Sequence, residues 1–215
     1  MEQLRVAEMF DSLQGEGTRA GLPCAFVRLA GCNLRCRYCD TAYAQQGPGE
    51  AATVEEAAAR LEEFGRRLVC ITGGEPLLQP ACVPLARRLI DLGHTVVVET
   101  NGTTDIRPLP AEAVRIMDVK CPGSGECGKT LPLNLRAVRP CDEVKFVLCG
   151  RADFEWAVDF LKQHGLPGRC HLLMAPAHGL LEGQELAEWI LGCGLELRLQ
   201  LQLHKILWPQ RTRGA

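Results

Sequence analysis

Seven strand-like runs, several of them separated by amphipathic helical stretches, narrow the folds open to this chain more than any other feature. The runs are CAFVRLA, RLVCIT, HTVVVET, VRIMDV, EVKFVL, HLLMAP and LELRLQLQLH, covering residues 24–30, 67–72, 94–100, 114–119, 143–148, 171–176 and 195–204. Helical patterns fit residues 54–64, 81–93, 151–165 and 182–194, each followed by or ending in glycine, as helix C-termini prefer. The first of these begins at Thr53 and Glu56, a T-x-x-E capping box. Strand then helix, repeated, implies parallel strands joined by right-handed crossovers, in an open sheet or a barrel. A full eight-unit barrel takes about 250 residues. This chain has 215, so the expectation is a single α/β domain over residues 1–215 built as a partial barrel.

Composition removes several function classes. Lys and Arg total 24 against 26 Asp and Glu, so no charge excess points to nucleic acid or a membrane surface. No stretch reaches the roughly 20 apolar residues of a membrane span, and the N-terminus lacks a basic region followed by an apolar core. The expected location is cytoplasmic, with no nucleic-acid or membrane partner. Twelve cysteines in such a chain suggest thiol, metal or redox chemistry rather than disulfides. Residues 120–140, rich in Gly and Pro, read as a functional loop or crossover.

Three of the cysteines stand apart. Cys32, Cys36 and Cys39 follow a strand on a segment too rich in Asn, Arg and Gly to be core. Their spacing presents three sulfurs to a common centre, and shared metal ligation is the economical reading against three separate small core residues. Structural zinc normally takes a fourth Cys or His at short spacing, and the chain has no second C-x2-C or H-x3-H, which leaves zinc a minor rival. An electron-transfer iron–sulfur cluster normally has four cysteines. Three leave one iron open, as catalytic metal sites leave a position for substrate or cofactor.

Two further segments follow in order. TGGEP, residues 72–76, comes after a strand, and its glycines let backbone approach a ligand. ETNG, residues 99–102, falls at the end of the next strand, where β/α sites assemble. With the C-x3-C-x2-C triplet these resemble the radical S-adenosylmethionine (SAM) superfamily, and the resemblance implies an abridged TIM-like β/α barrel of the radical SAM type. It also implies a [4Fe–4S] cluster on Cys32, Cys36 and Cys39 whose open iron binds SAM.

SLQGEG (12–17), AFVRLAGCNLRCRYCDT (25–41), DVKCPGSGE (118–126) and LQLHKILWPQRTRGA (201–215) together are similar to the branch of that superfamily that contracts 6-carboxy-5,6,7,8-tetrahydropterin to 7-carboxy-7-deazaguanine with release of ammonia, in queuosine and 7-deazapurine biosynthesis. The resemblance assigns Leu13, Gln14, Gly15, Arg28, Thr72 and His204 to the pterin. It assigns Arg37, Tyr38, Asp40, Gly74, Asp118, Val119, Lys120, Met174, Ala175, Pro176 and Ala177 to SAM, and Thr41 to Mg²⁺. Arg28 suits a carboxylate because guanidinium binds one bidentately; an ion pair within the protein is the alternative. Asp118 and Lys120 could instead pair with each other, and Thr41 could cap a helix. No protein nucleophile is required. A homodimer, and flavodoxin or ferredoxin as electron donor, are implied in the same way.

In LELRLQLQLH, leucines from Leu195 to Leu203 alternate with Glu196, Arg198, Gln200, Gln202 and His204. If helices cover the leucine face, the polar face lines the barrel interior; an edge strand with one wet side would read the same way. Cys24, Cys70, Cys82, Cys149, Cys170 and Cys193 read as core, and Cys121, Cys127 and Cys141 as a loop group too irregular for a second cluster. Two rival functions remain, a glycyl-radical-enzyme activating protein and a cluster-bearing electron carrier or scaffold. LQGEG with LHK argues against the first, and TGGEP with a polar-lined interior argues against the second.

Overall fold

A computed structural model describes residues 3–214. Nine strands form one sheet: β1 (Gln3–Leu13), β2 (Pro23–Leu29), β3 (Glu50–Thr53), β4 (Leu68–Gly73), β5 (Thr95–Thr100), β6 (Val114–Asp118), β7 (Glu143–Leu148), β8 (His171–Pro176) and β9 (Arg198–Leu199). Their order is β3-β1-β2-β4-β5-β6-β7-β8-β9. From β2 to β9 every neighbouring pair is parallel, while β1 runs antiparallel to both β2 and β3. The sheet curls but does not close, giving the partial barrel.

Helices α1 (Ala42–Gln46), α2 (Val54–Glu62), α3 (Cys82–Asp91), α4 (Pro132–Ala137), α5 (Arg151–Gln163), α6 (Gly183–Gly192) and α7 (Leu203–Leu207) complete the chain. Helix α2 starts where the capping box places it: Thr53 Oγ1 accepts from Glu56 N at 3.2 Å, and Glu56 Oε2 accepts from Thr53 N at 2.8 Å. Two apolar clusters lie between sheet and helices, one under α2 and α3, the other under α4 to α6. Among the described residues no helix is long and apolar enough to cross a membrane.

Strands β1 and β3 lie outside the sequence expectation, and the C-terminal strand departs from it. In β1 the partner register shifts between Val6 and Glu8. Leu4 and Val6 before the shift pack under the helices, Phe10 after it packs inside the barrel, and Met9 takes over the helix side. A bulge therefore swaps the two faces in mid-strand and breaks the period-two pattern. The strand expected over 195–204 is corrected: only Arg198–Leu199 pairs, and helix α7 begins at Leu203. Leu195, Leu197 and Leu199 do pack against the helical core, but Leu201 is exposed. The strand is an edge, and edges are kept short.

Candidate active site

Alternate residues of the strands point into the barrel. A lower apolar layer comprises Phe10, Cys24, Phe26, Leu68, Cys70, Val97, Val114 and Ile116, with the Phe10 and Phe26 rings stacked at 4.8 Å. Above it the inward positions turn polar, with Arg28 on β2, Thr72 on β4, Glu99 on β5 and Asp118 on β6 near the carboxyl ends of their strands and Lys145 in the middle of β7, all lining one cavity. Arg28 Nε donates to Glu8 Oε1 at 2.7 Å, and the Tyr43 hydroxyl donates to the same oxygen at 2.5 Å. Thr72 Oγ1 donates to Glu99 at 2.8 Å. Lys145 Nζ bonds Glu16 at 2.5 Å and lies 3.5 Å from Asp118, which pairs with Lys120 at 3.0 Å.

Burial sets the ionisation of these groups. It pushes the Glu99 carboxyl up, offset only in part by the Lys145 ammonium and the Thr72 hydrogen bond. Burial also opposes ionisation of Glu16, but there the charge and hydrogen bond of Lys145 prevail and hold the carboxyl well below its ordinary value.

Cys32, Cys36 and Cys39 lie on the loop after β2 and line the mouth of the same cavity, each partly exposed and none in a disulfide. The loop is held on several sides. Gly31 N donates to Ala44 O at 2.7 Å, Arg35 N to Glu126 Oε1 at 2.6 Å, Arg37 N to Ser124 O at 3.0 Å, and Asn101 Nδ2 to Asn33 Oδ1 at 3.1 Å. Gly74 is needed because any Cβ there would collide with the Gly31 carbonyl and Cys32 Cβ. Fully buried Glu75 anchors the same turn, accepting from Asn101 N at 2.6 Å and Thr100 Oγ1 at 2.8 Å.

These residues fit an iron–sulfur cluster. Burial raises the Cys32 and Cys36 thiols, Cys36 to about 11, so a bound metal must displace their protons, the usual coupling of thiolate ligation to pH. Among the described residues no three His, Cys, Asp or Glu side chains close on a point for a single ion. Three thiols of one loop, all lining the same cavity, are the donor set of a cluster that keeps one iron open. Thr41 Oγ1 lies 3.7 Å from Cys39 Sγ, and its side chain makes no capping bond to α1.

The two ends of the chain meet across the open side of the barrel. Leu203 N donates to Gly15 O at 3.2 Å, Gly17 N to Gln200 Oε1 at 2.7 Å, and Gln202 Nε2 to Glu16 Oε1 at 2.7 Å. A Cβ on Gly15 would come within 2.5 Å of His204 Nδ1, so the middle glycine of LQGEG makes room for the histidine of LHK. Burial lowers the His204 ring below its ordinary value, favouring neutral imidazole. Gln14 Nε2 and Asp118 Oδ1 are buried polar atoms facing this region without a partner among the described residues, the condition a bound polar ligand relieves.

Of the residues singled out in the sequence, Leu13, Gln14, Gly15, Arg28, Thr72 and His204 line the cavity together with Cys32, Cys36, Cys39, Thr41, Tyr38, Asp40, Gly74, Asp118, Lys120 and Ala177. Arg37, Val119, Met174, Ala175 and Pro176 lie outside this lining. Arg37 is exposed, and Val119 and Met174 pack into the core beneath the helices. Of the C-terminal polar residues, Gln202 and His204 reach the cavity and Gln200 is buried beside the turn, whereas Glu196 and Arg198 do not take part. Asp118 and Lys120 do pair with each other, while both also line the cavity. Cys141 is exposed beside Asp142, whereas Cys121, expected in a loop group with it, is fully buried in the core beneath the helices. Missed from the sequence were Glu16, Glu99, Lys145, Tyr43, Gln202 as a partner of Glu16, and the tail Arg211–Gly214, whose Arg213 guanidinium lies 4.4 Å over the Tyr43 ring. The strand residues Glu99 and Lys145 had a signal: each is a polar residue at an inward position of a largely apolar strand, the pattern that singles out Arg28.

Comparison with known proteins agrees with this geometry. A family model described as the radical SAM superfamily matches residues 27–189. A 7-carboxy-7-deazaguanine synthase of Koribacter versatilis is 42% identical, with 99% of this chain and 100% of the relative aligned. One from Methanospirillum hungatei is 44% identical over 95% of this chain and 85% of the relative. Among solved structures, QueE from Escherichia coli superposes with a TM-score of 0.77 at 26% identity, covering 93% of this chain and 94% of that one.

Proposed function

The chain belongs to the radical SAM superfamily and within it to the 7-carboxy-7-deazaguanine synthases, and from that membership we infer that it converts 6-carboxy-5,6,7,8-tetrahydropterin to 7-carboxy-7-deazaguanine with loss of ammonia. The observation that carries this reading is a single cavity lined both by three thiols and by Arg28, Gln14 and His204. The cluster and SAM supply an electron and a 5′-deoxyadenosyl radical when bound; the chain's own residues place and hold the reactants.

Cys32, Cys36 and Cys39 would hold the cluster. Backbone at Gly74, the Tyr38 to Asp40 segment and the Asp118–Lys120 pair receive SAM. Arg28 takes the pterin carboxylate on the guanidinium edge that Glu8 leaves free, while Gln14 and neutral His204 offer hydrogen bonds to the ring. Thr41 would offer its hydroxyl to Mg²⁺, a hard cation suited to oxygen donors, which would supply Lewis-acid stabilisation of negative charge. The buried walls exclude water from a reactive radical. A homodimer, a flavodoxin or ferredoxin donor and a cytoplasmic setting complete the proposal.

The test is anaerobic reconstitution, reduction, and incubation with SAM and 6-carboxytetrahydropterin. The deazapurine product is expected by mass. SAM cleavage without that product would leave the superfamily chemistry standing and overturn the substrate.

A further inference from the structure

Lys145 is assigned to neither SAM nor the pterin, yet its placement is unusual. It sits in the middle of β7 with its side chain about nine-tenths buried, in the polar layer of the barrel. Its ammonium bonds Glu16 Oε2 at 2.5 Å and lies 3.5 Å from Asp118 Oδ2. These carboxylates come from different parts of the site, Glu16 from the turn that carries Gln14 and Gly15, and Asp118 from the strand end that carries Lys120. Through Glu16 the same ammonium reaches Gln202, next but one to His204. Among the described residues Lys145 is the one cation bridging turn and strand end.

We propose that Lys145 is a positioning residue, which pins the Gln14–Glu16 turn to the end of β6, so that the pterin pocket is formed before its ligand arrives. This rests on the pterin reading above. The groups facing the ammonium are Glu16, Asp118 and Lys120, with Glu99 from β5, Arg28 from β2 and His204 from α7 around the same cavity. A salt bridge serving only stability would also be broken by substitution, so stability alone does not separate the roles. Without the ammonium, burial is left to act on Glu16 and drives its carboxyl upward. Among the described residues the Glu16 side chain is then held only by the Gln202 hydrogen bond, which weakens when Glu16 takes a proton.

The experiment uses the reconstituted enzyme and 6-carboxypterin, the non-reacting oxidised form of the proposed substrate, titrated calorimetrically from pH 5 to 8. Lys145→Met should bind it about 10- to 100-fold more weakly at neutral pH, the order of loss that follows misplacement of a binding group. It should also gain a pH step in affinity beyond any that His204 or Glu99 gives the parent, with binding weakening as pH falls. Cluster iron should match the parent. Lys145→Arg, which keeps the cation, should remove the step, and Glu16→Gln in the Lys145→Met background should remove it as well. Lys145→Gln carries the same expectation if the methionine variant does not fold. A parent-like affinity and pH profile with only a lowered melting temperature overturns the inference, as does a step that survives Glu16→Gln, since it would then belong to Glu99 or His204. A parent that fails to bind 6-carboxypterin overturns the pterin reading itself, and this inference with it.

Discussion

Replacing Arg28 by glutamine tests the substrate assignment most directly. The guanidinium is already engaged: its Nε donates to Glu8 Oε1 at 2.7 Å, and it lies 5.8 Å from the centre of the Phe10 ring. Its terminal nitrogens make no hydrogen bond among the described residues, so the outer edge of the fork faces the cavity, the geometry that receives a carboxylate bidentately. The side chain is 13% exposed, so solvent screening discounts the interaction little. Truncating one partner of a buried charge pair costs about 2–5 kcal/mol. At about 1.4 kcal/mol per tenfold, that is a rise in pterin Kd from roughly 30-fold to a few thousand-fold. Arg28→Lys, keeping charge but losing the fork, should fall between. Calorimetric titration with 6-carboxypterin measures the loss, and a parallel SAM titration should be nearly unchanged. Glu8→Gln is the control: it leaves the cation in place and removes a competing carboxylate, so pterin affinity should hold or rise. If Arg28→Gln binds like the parent, or if Glu8→Gln loses as much as Arg28→Gln, the pair is structural and the substrate carboxylate lies elsewhere.

Single Cys→Ala changes at Cys32, Cys36 and Cys39 should each abolish SAM cleavage, with product quantified by chromatography; a triple variant that kept both cluster iron and cleavage would contradict the ligand assignment. Thr41→Ala should leave thermal stability unchanged, because its side chain makes no cap bond whose loss would cost about 1 kcal/mol, and should lose Mg²⁺-stimulated turnover. Coincident turnover curves against Mg²⁺ for variant and parent would remove Thr41 from the metal. Gly15→Ala drives a Cβ to within 2.5 Å of His204 Nδ1, so pterin affinity should fall while SAM affinity holds; equal pterin affinity would take His204 out of the site.

The motifs were legible because they are local: a C-x3-C-x2-C loop, a GGEP turn and a capping box need only neighbours in the chain. Helices α2, α3, α5 and α6 were legible for the same reason, having glycine after or at their ends and one apolar stripe each. Strand β1 was not, because its bulge moves Glu8 and Phe10 inside while Leu4 and Val6 stay outside, and no single period describes it. The C-terminal run deceived in the opposite way. Its alternation is regular for ten residues, but sheet pairing ends after Leu199, and the polar residues reach the site by spanning the gap to the Gly15 turn. That placement depends on a partner nearly 190 residues away, which a local pattern does not contain. The pairing of Lys145 with Glu16, 129 positions apart, was hidden for the same reason, although the inward polar position of Lys145 was open to view.

The barrel gives alternate residues of each strand opposite tasks. Burying Glu16, Arg28, Glu99, Asp118 and Lys145 in one cavity carries a desolvation cost of several kcal/mol per ion, which even good pairing recovers only in part. Stabilisation must come from the other face, where Val27 and Leu29, Val69 and Ile71, Val96 and Val98, and Val144, Phe146 and Leu148 pack beneath the helices at full or nearly full burial. A slip of one residue in any of these strands would exchange the faces, putting charges under a helix and leucine or valine in the cavity. Register is thus specified twice in each strand, once by what must be dry and once by what must stay solvated or paired. The β1 bulge is the one place where such a slip is built in. It delivers Glu8 to Arg28 without taking Leu4 and Val6 from the helix side, so the antiparallel strand that closes one side of the cavity supplies the carboxylate that orients the proposed substrate-binding guanidinium.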